Sequence, residues 1–287
     1  MQKNKIYCTD VLKGLKKLDN DSIDCIVTSP PYWALRDYGS DKQIGLEDHP
    51  QAYIDKIVEI MKECKRVLKP TGSIWLNLGD SFYAKSGGEN TNNFFKYRKL
   101  PKKIRGKFKS NWLQHKQRLL IPFRIAIKCQ DELGLILRND ITWVKQWCNI
   151  KNKDSAGSSM PSAVRDRLNT NSESIFLFVK NNKYFFDLDK VRIPYKESTF
   201  KRKKYLLNNK KQNMCNPKGK NPGDCIMFPI EPSKERHYAM FPSSLPEFCI
   251  KAGCPESVCK KCGTPRLIII STPNPNAFNI RVRDVKK

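Results

Sequence analysis

Ile23-Asp24-Cys25-Ile26-Val27-Thr28 leads directly into Ser29-Pro30-Pro31-Tyr32-Trp33, and this junction decides the fold. The first six residues are mostly apolar and β-branched, the pattern of a buried strand. Paired prolines fix φ and donate no backbone hydrogen bond, so the strand is predicted to end at Thr28 and open into a rigid loop. Downstream, apolar residues recur at Tyr53, Ile57, Ile60, Met61, Cys64, Val67 and Leu68, with Lys and Glu on the other face, which predicts a helix over 50–68. Pro70-Thr71-Gly72 is expected to stop it before a second strand, Ser73–Leu78. A helix over Pro122–Leu133 and a strand over Leu135–Trp143 follow. Ser174–Lys180 and Lys183–Leu188 then flank Asn181-Asn182, a hairpin signal. Strands alternating with helices and closed by a hairpin predict an α/β fold, a mainly parallel sheet with an antiparallel edge hairpin.

A chain of 287 residues can bury one substantial α/β core, with or without a small recognition lobe. The polar start, Met1-Gln2-Lys3-Asn4-Lys5, leads into a strand-like Ile6-Tyr7 with no signal-peptide apolar region. No apolar run approaches membrane-spanning length, which leaves a cytoplasmic protein as the expectation. The formal net charge of +26 attracts polyanions, and counterion release from a phosphate backbone would turn that field into affinity. The plainer reading is a composition biased towards Lys and Asn. Eleven cysteines, scattered through apolar stretches at Cys25, Cys64, Cys129 and Cys249, do not form a disulfide framework and read as small core residues.

Two stretches fall outside the core pattern. Residues 85–118 are polar and basic, with Lys99, Lys102, Lys103 and Arg105 among interleaved aromatics such as Phe94, Tyr97 and Phe108. Residues 196–236 carry Lys201, Arg202, Lys203 and Lys204. Each reads either as a DNA-contacting insertion or as a solvated loop. The expected layout is a catalytic core over 1–84 and 119–195, a basic insertion over 85–118, a target-recognition-like segment over 196–236, and a helix with a Cys-rich tail over 237–287.

Ligands of open α/β sheets gather outside the carboxyl ends of the strands, where Ser29-Pro30-Pro31-Tyr32 is predicted to lie. Fixed oxygens of Ser29 and Pro30 beside the flat Tyr32 ring suit an exocyclic amine on a planar base. The oxygens accept its N–H bonds while the base stacks. A stiff structural turn is the alternative reading of the same four residues.

Thr28-Ser29-Pro30-Pro31-Tyr32-Trp33 resembles the catalytic motif of the permuted, beta-type DNA amino-methyltransferases, and a serine in first place resembles the cytosine-N4 type. Further blocks agree in order: Ile6–Leu12, Gly72–Ser81, Arg138–Lys145, Met160–Arg167 with Ser172-Glu173, and His237–Pro242 with Leu245. The resemblance implies a Rossmann-like S-adenosylmethionine-dependent fold and double-stranded DNA as substrate, with a cognate restriction endonuclease as a partner. It makes Ser29, Pro30, Pro31 and Tyr32 catalytic, with Tyr32 and Trp143 stacking on a flipped base. Asp10, Thr28, Ser29, Phe241, Pro242 and Leu245 would hold the cofactor.

The same resemblance implies a closing Asp-Pro-Phe-x-Gly-x-Gly loop, and the chain contains no such stretch. The expectation is a chain truncated at its C-terminus, inactive by itself and active with a complementing C-terminal segment, in cis or from a partner chain. Cys259-Lys260-Lys261-Cys262-Gly263, with Cys254 upstream, resembles half of a zinc knuckle, although tetrahedral zinc takes four ligands. Cytosine carbon-5 chemistry is set aside because there is no Pro-Cys pair, and no Walker pattern occurs. Adenine N6 methylation, a non-catalytic DNA-binding fragment, and methylation of RNA or a protein amide stay open beside cytosine N4.

Overall fold

The computed structural model describes residues 2, 4–40, 42–83, 113–159, 164–199, 216–231, 240–267 and 283–284. Its first regular element, helix α1 (Val11–Leu15), is a single turn capped by Asp10, whose carboxylate accepts the Lys13 N–H at 3.0 Å. The strand expected at Ile6-Tyr7 does not form, and Ile6 is fully exposed, with no strand among the described residues pairing its backbone. Strand β1 (Ile23–Thr28) follows as predicted.

Helix α2 (Pro50–Val67) begins with proline at its first position and His49 as N-cap, and buries Tyr53, Ile54, Ile57, Met61 and Cys64 on one face. No glycine ends it. At Leu68 the backbone turns to φ −70°, ψ 131°, and strand β2 (Leu68–Leu78) starts at once. Pro70-Thr71-Gly72 therefore lies inside the strand, not before it. The register slips there: Ile23 faces Leu68 but Cys25 faces Ser73, so β2 spends the extra residues in an irregularity that tolerates proline.

Helix α3 (Ile121–Asp131) and strand β3 (Ile136–Val144) match the predicted elements, and a short hairpin of β4 (Gln146–Asn149) and β5 (Asp154–Gly157) follows. Strand β6 (Ser172–Val179) is then antiparallel to both β2 and β3. With β7 (Cys225–Met227) the sheet order is β1-β2-β6-β3-β7, parallel between β1 and β2 and between β3 and β7. The antiparallel strand thus lies inside the described sheet rather than at its edge.

The expected hairpin partner, Lys183–Leu188, is not a strand. The Phe185 N–H goes to Thr71 O and the Asp187 N–H to Ala252 O, both at 2.8 Å, so the segment crosses beneath the sheet. There Tyr184, Phe186 and Leu188 cover apolar surface that pairing with β6 would leave bare. β7 also shows that the end of the supposed recognition segment, 216–231, belongs partly to the core sheet.

Side chains alternate along the strands and build a core on each face. Ile74, Leu76, Leu78, Phe176 and Phe178 meet α2 and α3 on one side. Trp75, Ile141, Trp143, Ile175 and Leu177 meet helix α4 (Ser244–Gly253) on the other, through Leu245, Cys249 and Ala252. Cys64, Cys129 and Cys249 are buried and Cys25 half-buried, as expected of core thiols; burial pushes the Cys25 thiol up to about 12. The tail forms a small sheet of β8 (Ser257–Val258), β9 (Pro265–Leu267) and β10 (Arg283–Asp284).

Gly253 seats α4 on the sheet. A Cβ there would lie 2.5 Å from both Ser73 Oγ and Trp75 Nε1. That contact matters because Ser73 accepts the buried Trp75 indole N–H at 3.1 Å and donates to Gly253 O at 3.3 Å. Gly253→Ala should therefore destabilise by about 1–3 kcal/mol, the usual range for overpacking. Thermal unfolding would show the melting temperature falling by a few degrees.

Candidate active site

The loop 29–33 leaves the carboxyl end of β1 and is braced from several sides. Tyr53 Oη on α2 donates to Pro31 O at 2.9 Å. Trp33 is buried in the first core, and its indole N–H goes to Glu47 O at 2.9 Å. Ala34 N donates to Gly45 O at 2.7 Å. Gly45 has φ +97°, and a Cβ there would lie 2.8 Å from Tyr32 O. With the two prolines, these contacts leave the loop little freedom to lose when a ligand arrives.

Tyr32 lies across the end of β2, its ring resting where Gly79 has no side chain. Its hydroxyl donates to Glu173 Oε2 at the start of β6. Asn77 Nδ2 on β2 reaches Glu173 Oε2 and Tyr32 Oη, each at 2.9 Å, and Ser29 Oγ at 3.3 Å. Ser29 Oγ and Tyr32 Oη are 3.3 Å apart. Lys145, just past β3, completes the set through an ion pair with Glu173 Oε1. Burial first, then the adjacent Glu173 charge, holds the Tyr32 hydroxyl well above the usual phenol range, so it remains a donor.

Glu173, Asn77 and Lys145 were not expected as site residues. A signal existed for Asn77, a lone amide in the apolar run Ile74–Leu78 that is only 3% exposed. Glu173 stands out only as part of the Ser172-Glu173 block of the family resemblance, which assigns it no role. Sequence places it 141 residues from Tyr32, and only the β6–β3 register, which sets it opposite Trp143, brings it to Lys145.

Other expected residues are distributed unevenly. Ser29, Pro30, Pro31 and Tyr32 do share one loop. Trp143, expected as an opposing stacking wall, is a core residue instead. It is 4% exposed, gives its indole N–H to Phe228 O at 3.0 Å, and has the Lys145 ammonium 4.8 Å from its ring centre. Asp10 is occupied in capping α1. Phe241, half-buried, and Pro242, buried, lie just before α4, and the buried Leu245 is in its first turn. The far end of α4 meets Ser73 in the middle of β2, and Phe248, earlier on the helix, packs on Trp75 further along the strand, so the start of α4 points to the sheet end that carries Ser29. Lys99, Lys102, Lys103, Arg105, Lys201, Arg202, Lys203 and Lys204 lie outside the described residues. The stem of the first basic insertion is closed: Tyr83 N donates to Gln117 O and Lys116 N to Tyr83 O, both at 2.8 Å.

Among the described residues no group of three or more metal-ligating side chains comes together, so Cys254 does not join Cys259 and Cys262 as a zinc site. The latter two flank a turn closed by Gly263 N to Cys259 O at 2.8 Å, while Cys254 ends α4. Asp80, in the Leu78-Gly79-Asp80 run, is also structural. Its carboxylate takes the Leu120 and Ile121 N–H groups at 3.0 and 3.1 Å and Arg118 Nε at 2.8 Å.

A family model described as DNA methylase, covering N6 and N4 enzymes, matches residues 23–258. The chain is 32% identical over 255 residues to the type II methyltransferase M.SmaI of Serratia marcescens, spanning 87% of this chain and 75% of that protein. It is 34% identical to M.Cfr9I of Citrobacter freundii, with 85% and 70% covered. With M.SfiI of Streptomyces fimbriatus it shares 40% identity, but this covers 67% of the chain and only 40% of that protein. Among solved structures, PvuII DNA methyltransferase (cytosine-N4-specific) superposes with a TM-score of 0.54 at 20% identity, covering 88% of this chain and 71% of that one, a likeness of fold. This chain belongs to the N6/N4 DNA methylase family.

Gly79 is the tightest point of the site, since a Cβ there would lie 2.5 Å from Tyr32 Cε2. Gly79→Ala should push the ring aside and part its hydroxyl from Glu173. A crystal structure of the variant showing that bond intact would contradict this account of the loop.

Proposed function

We propose that the protein is a site-specific DNA methyltransferase that transfers a methyl group to the exocyclic N4 of cytosine in double-stranded DNA. The observation that carries this reading is Ser29, first in Ser29-Pro30-Pro31-Tyr32, held at the end of β1 with its hydroxyl tied to Asn77 and Tyr32. The structural neighbour titled cytosine-N4-specific agrees with that choice. Adenine N6 is the second reading, because the family model spans both.

The amine of cytosine is a weak nucleophile because its lone pair is delocalised into the ring. Acceptors at Ser29 Oγ and the Pro30 carbonyl would take its two hydrogens and favour the tetrahedral nitrogen that attacks. Tyr32 would stack on the base. Prior orientation of this kind lowers barriers by roughly 7–11 kcal/mol in the best cases. In duplex DNA the base must first leave the stack, the step for which a rigid aromatic platform is suited.

S-adenosylmethionine would supply the electrophilic methyl group. Thr28 and Ser29 at the end of β1, with Phe241, Pro242 and Leu245 at the start of α4, fit one side of such a site, since both groups face the same sheet end. Donors for a ligand carboxylate are not evident there: the Ser243 N–H and hydroxyl already bind Glu231, at 3.1 and 2.9 Å. The rest of the cradle would come from a glycine-rich segment of the kind the family resemblance implies, which residues 1–287 do not contain. The basic segments 85–118 and 196–236 would contact phosphates, and a restriction endonuclease of the same sequence specificity is the expected counterpart. No helix among the described residues is long and apolar enough to cross a membrane.

Labelled S-adenosylmethionine and mixed-sequence duplex DNA test the proposal. With the glycine-rich segment supplied, label should enter DNA as N4-methylcytosine, and Tyr32→Ala should lower turnover by orders of magnitude while duplex binding persists. N6-methyladenine as the only product would overturn the choice of base. Residues 1–287 by themselves should incorporate no label above the Tyr32→Ala control, and incorporation would show that the cofactor site is complete without the added segment.

Duplex affinity should fall steeply with salt. Each phosphate contact contributes roughly 0.9 to the slope of log K against log salt. Replacing Lys99, Lys102, Lys103 and Arg105 together with glutamine should flatten that slope. An unchanged slope assigns the insertion to solvent.

A further inference from the structure

We infer that Glu173 is a positioning residue: its carboxylate, held by Lys145, sets the direction of the hydrogen-bond chain Ser29–Tyr32–Glu173 so that Ser29 Oγ faces the site as an acceptor. The inference rests on reading the Ser29 loop as the amine site.

The hydrogens can be counted. An ionised carboxylate only accepts, and a lysine ammonium only donates. Lys145 occupies Glu173 Oε1, which leaves Oε2 for the Tyr32 hydroxyl and for Asn77 Nδ2. The one hydroxyl hydrogen of Tyr32 is thereby committed to Glu173. The 3.3 Å contact between Ser29 and Tyr32 must then run from the Ser29 hydroxyl to the Tyr32 oxygen. The two Asn77 N–H groups serve Glu173 Oε2 and Tyr32 Oη, each at 2.9 Å, and reach Ser29 Oγ at 3.3 Å only as a shared contact, so Ser29, its own hydrogen spent on Tyr32, keeps a lone pair for an incoming N–H.

Glu173 fixes the Asn77 amide by the same logic. Reversing that amide would place its oxygen 2.9 Å from Glu173 Oε2, acceptor against acceptor. A neutral side chain at position 173 removes both constraints. With glutamine there, the amide oxygen would stay on Lys145 and the NH₂ would face Tyr32. Tyr32 would then accept from position 173, the Asn77 amide would reverse to receive the glutamine NH₂, and nothing would hold the Tyr32 and Ser29 hydrogens in one direction, leaving the Ser29 hydrogen free to point at the amine it should bind.

Two measurements on Glu173→Gln test this. The first needs no DNA. In the free protein, proton NMR should show a slowly exchanging, downfield hydroxyl resonance that Tyr32→Phe abolishes. Glu173→Gln should move it upfield, Glu173→Asp should largely restore it, and Lys145→Met should shift it as well. A resonance that keeps its position in Glu173→Gln overturns the inference, whatever the protein does to DNA. The second measurement is methyl transfer with the glycine-rich segment supplied. Glu173→Gln should lower kcat about a hundredfold, the scale of a misoriented reactant, with duplex affinity unchanged. In a Tyr32→Phe background the same substitution should cost far less, because its route to Ser29 has gone. Equal losses in both backgrounds would show that Glu173 acts independently of Tyr32. Absence of transfer by the unsubstituted protein would instead refute the proposed function and leave the NMR result to decide the inference.

Discussion

Strand β6 gives hydrogen bonds to β2 along one edge and to β3 along the other, and both cores depend on that double pairing. Phe176 and Phe178 enter the α2–α3 side, while Ile175, Leu177 and Val179 enter the α4 side. Remove β6 and β1–β2 has no connection in the sheet to β3–β7. The strand is buried on both faces from Ile175 to Val179, which is why its sequence there is continuously apolar rather than alternating. Its polar start, Ser172-Glu173, emerges where apolar cover ends, and that is the end of the sheet that carries the Ser29 loop.

The site is built on rigidity that comes from several layers. Two prolines limit the loop from within, Tyr53 and Trp33 anchor it to the α2 side, and Gly45 and Gly79 allow close approach where a side chain would collide. A ligand meeting such a loop spends little binding free energy on ordering it. Asp80 extends the same scaffold by tying the end of β2 to the first N–H groups of α3. An acidic residue this close to the Ser29 loop invites a chemical role, but its oxygens are already taken by backbone and Arg118.

Charge inside the site is arranged differently from charge on the molecule as a whole. A net +26 serves long-range attraction of a polyanion, but fields of that range do not orient a single hydroxyl. Orientation falls to one carboxylate surrounded by donors from three strands and their ends: Tyr32, Asn77 and Lys145. In a half-buried setting these short contacts are worth more than surface pairs, because water competes less for the same partners.

The sequence by itself determined the α/β class, the position of the loop at a strand end, the helical face of α2 and the core cysteines, and it pointed to the methylase family. These are local matters: periodicity, proline and a run of apolar residues act over a few positions, where chain connectivity holds neighbours together. Only the tertiary structure decided the rest. Lys183–Leu188 has hairpin-like spacing after Asn181-Asn182, yet it crosses beneath the sheet because Thr71 and Ala252 offer its N–H groups partners and the second core offers its aromatics cover. Trp143 reads as a stacking wall in one dimension and is enclosed by Phe228 and Lys145 in three. Glu173 lies 141 residues from Tyr32 along the chain, and no local signal carries over such a distance. Their meeting follows from strand register, where a slip of one residue would turn Glu173 to the other face and Tyr32 would lose its acceptor.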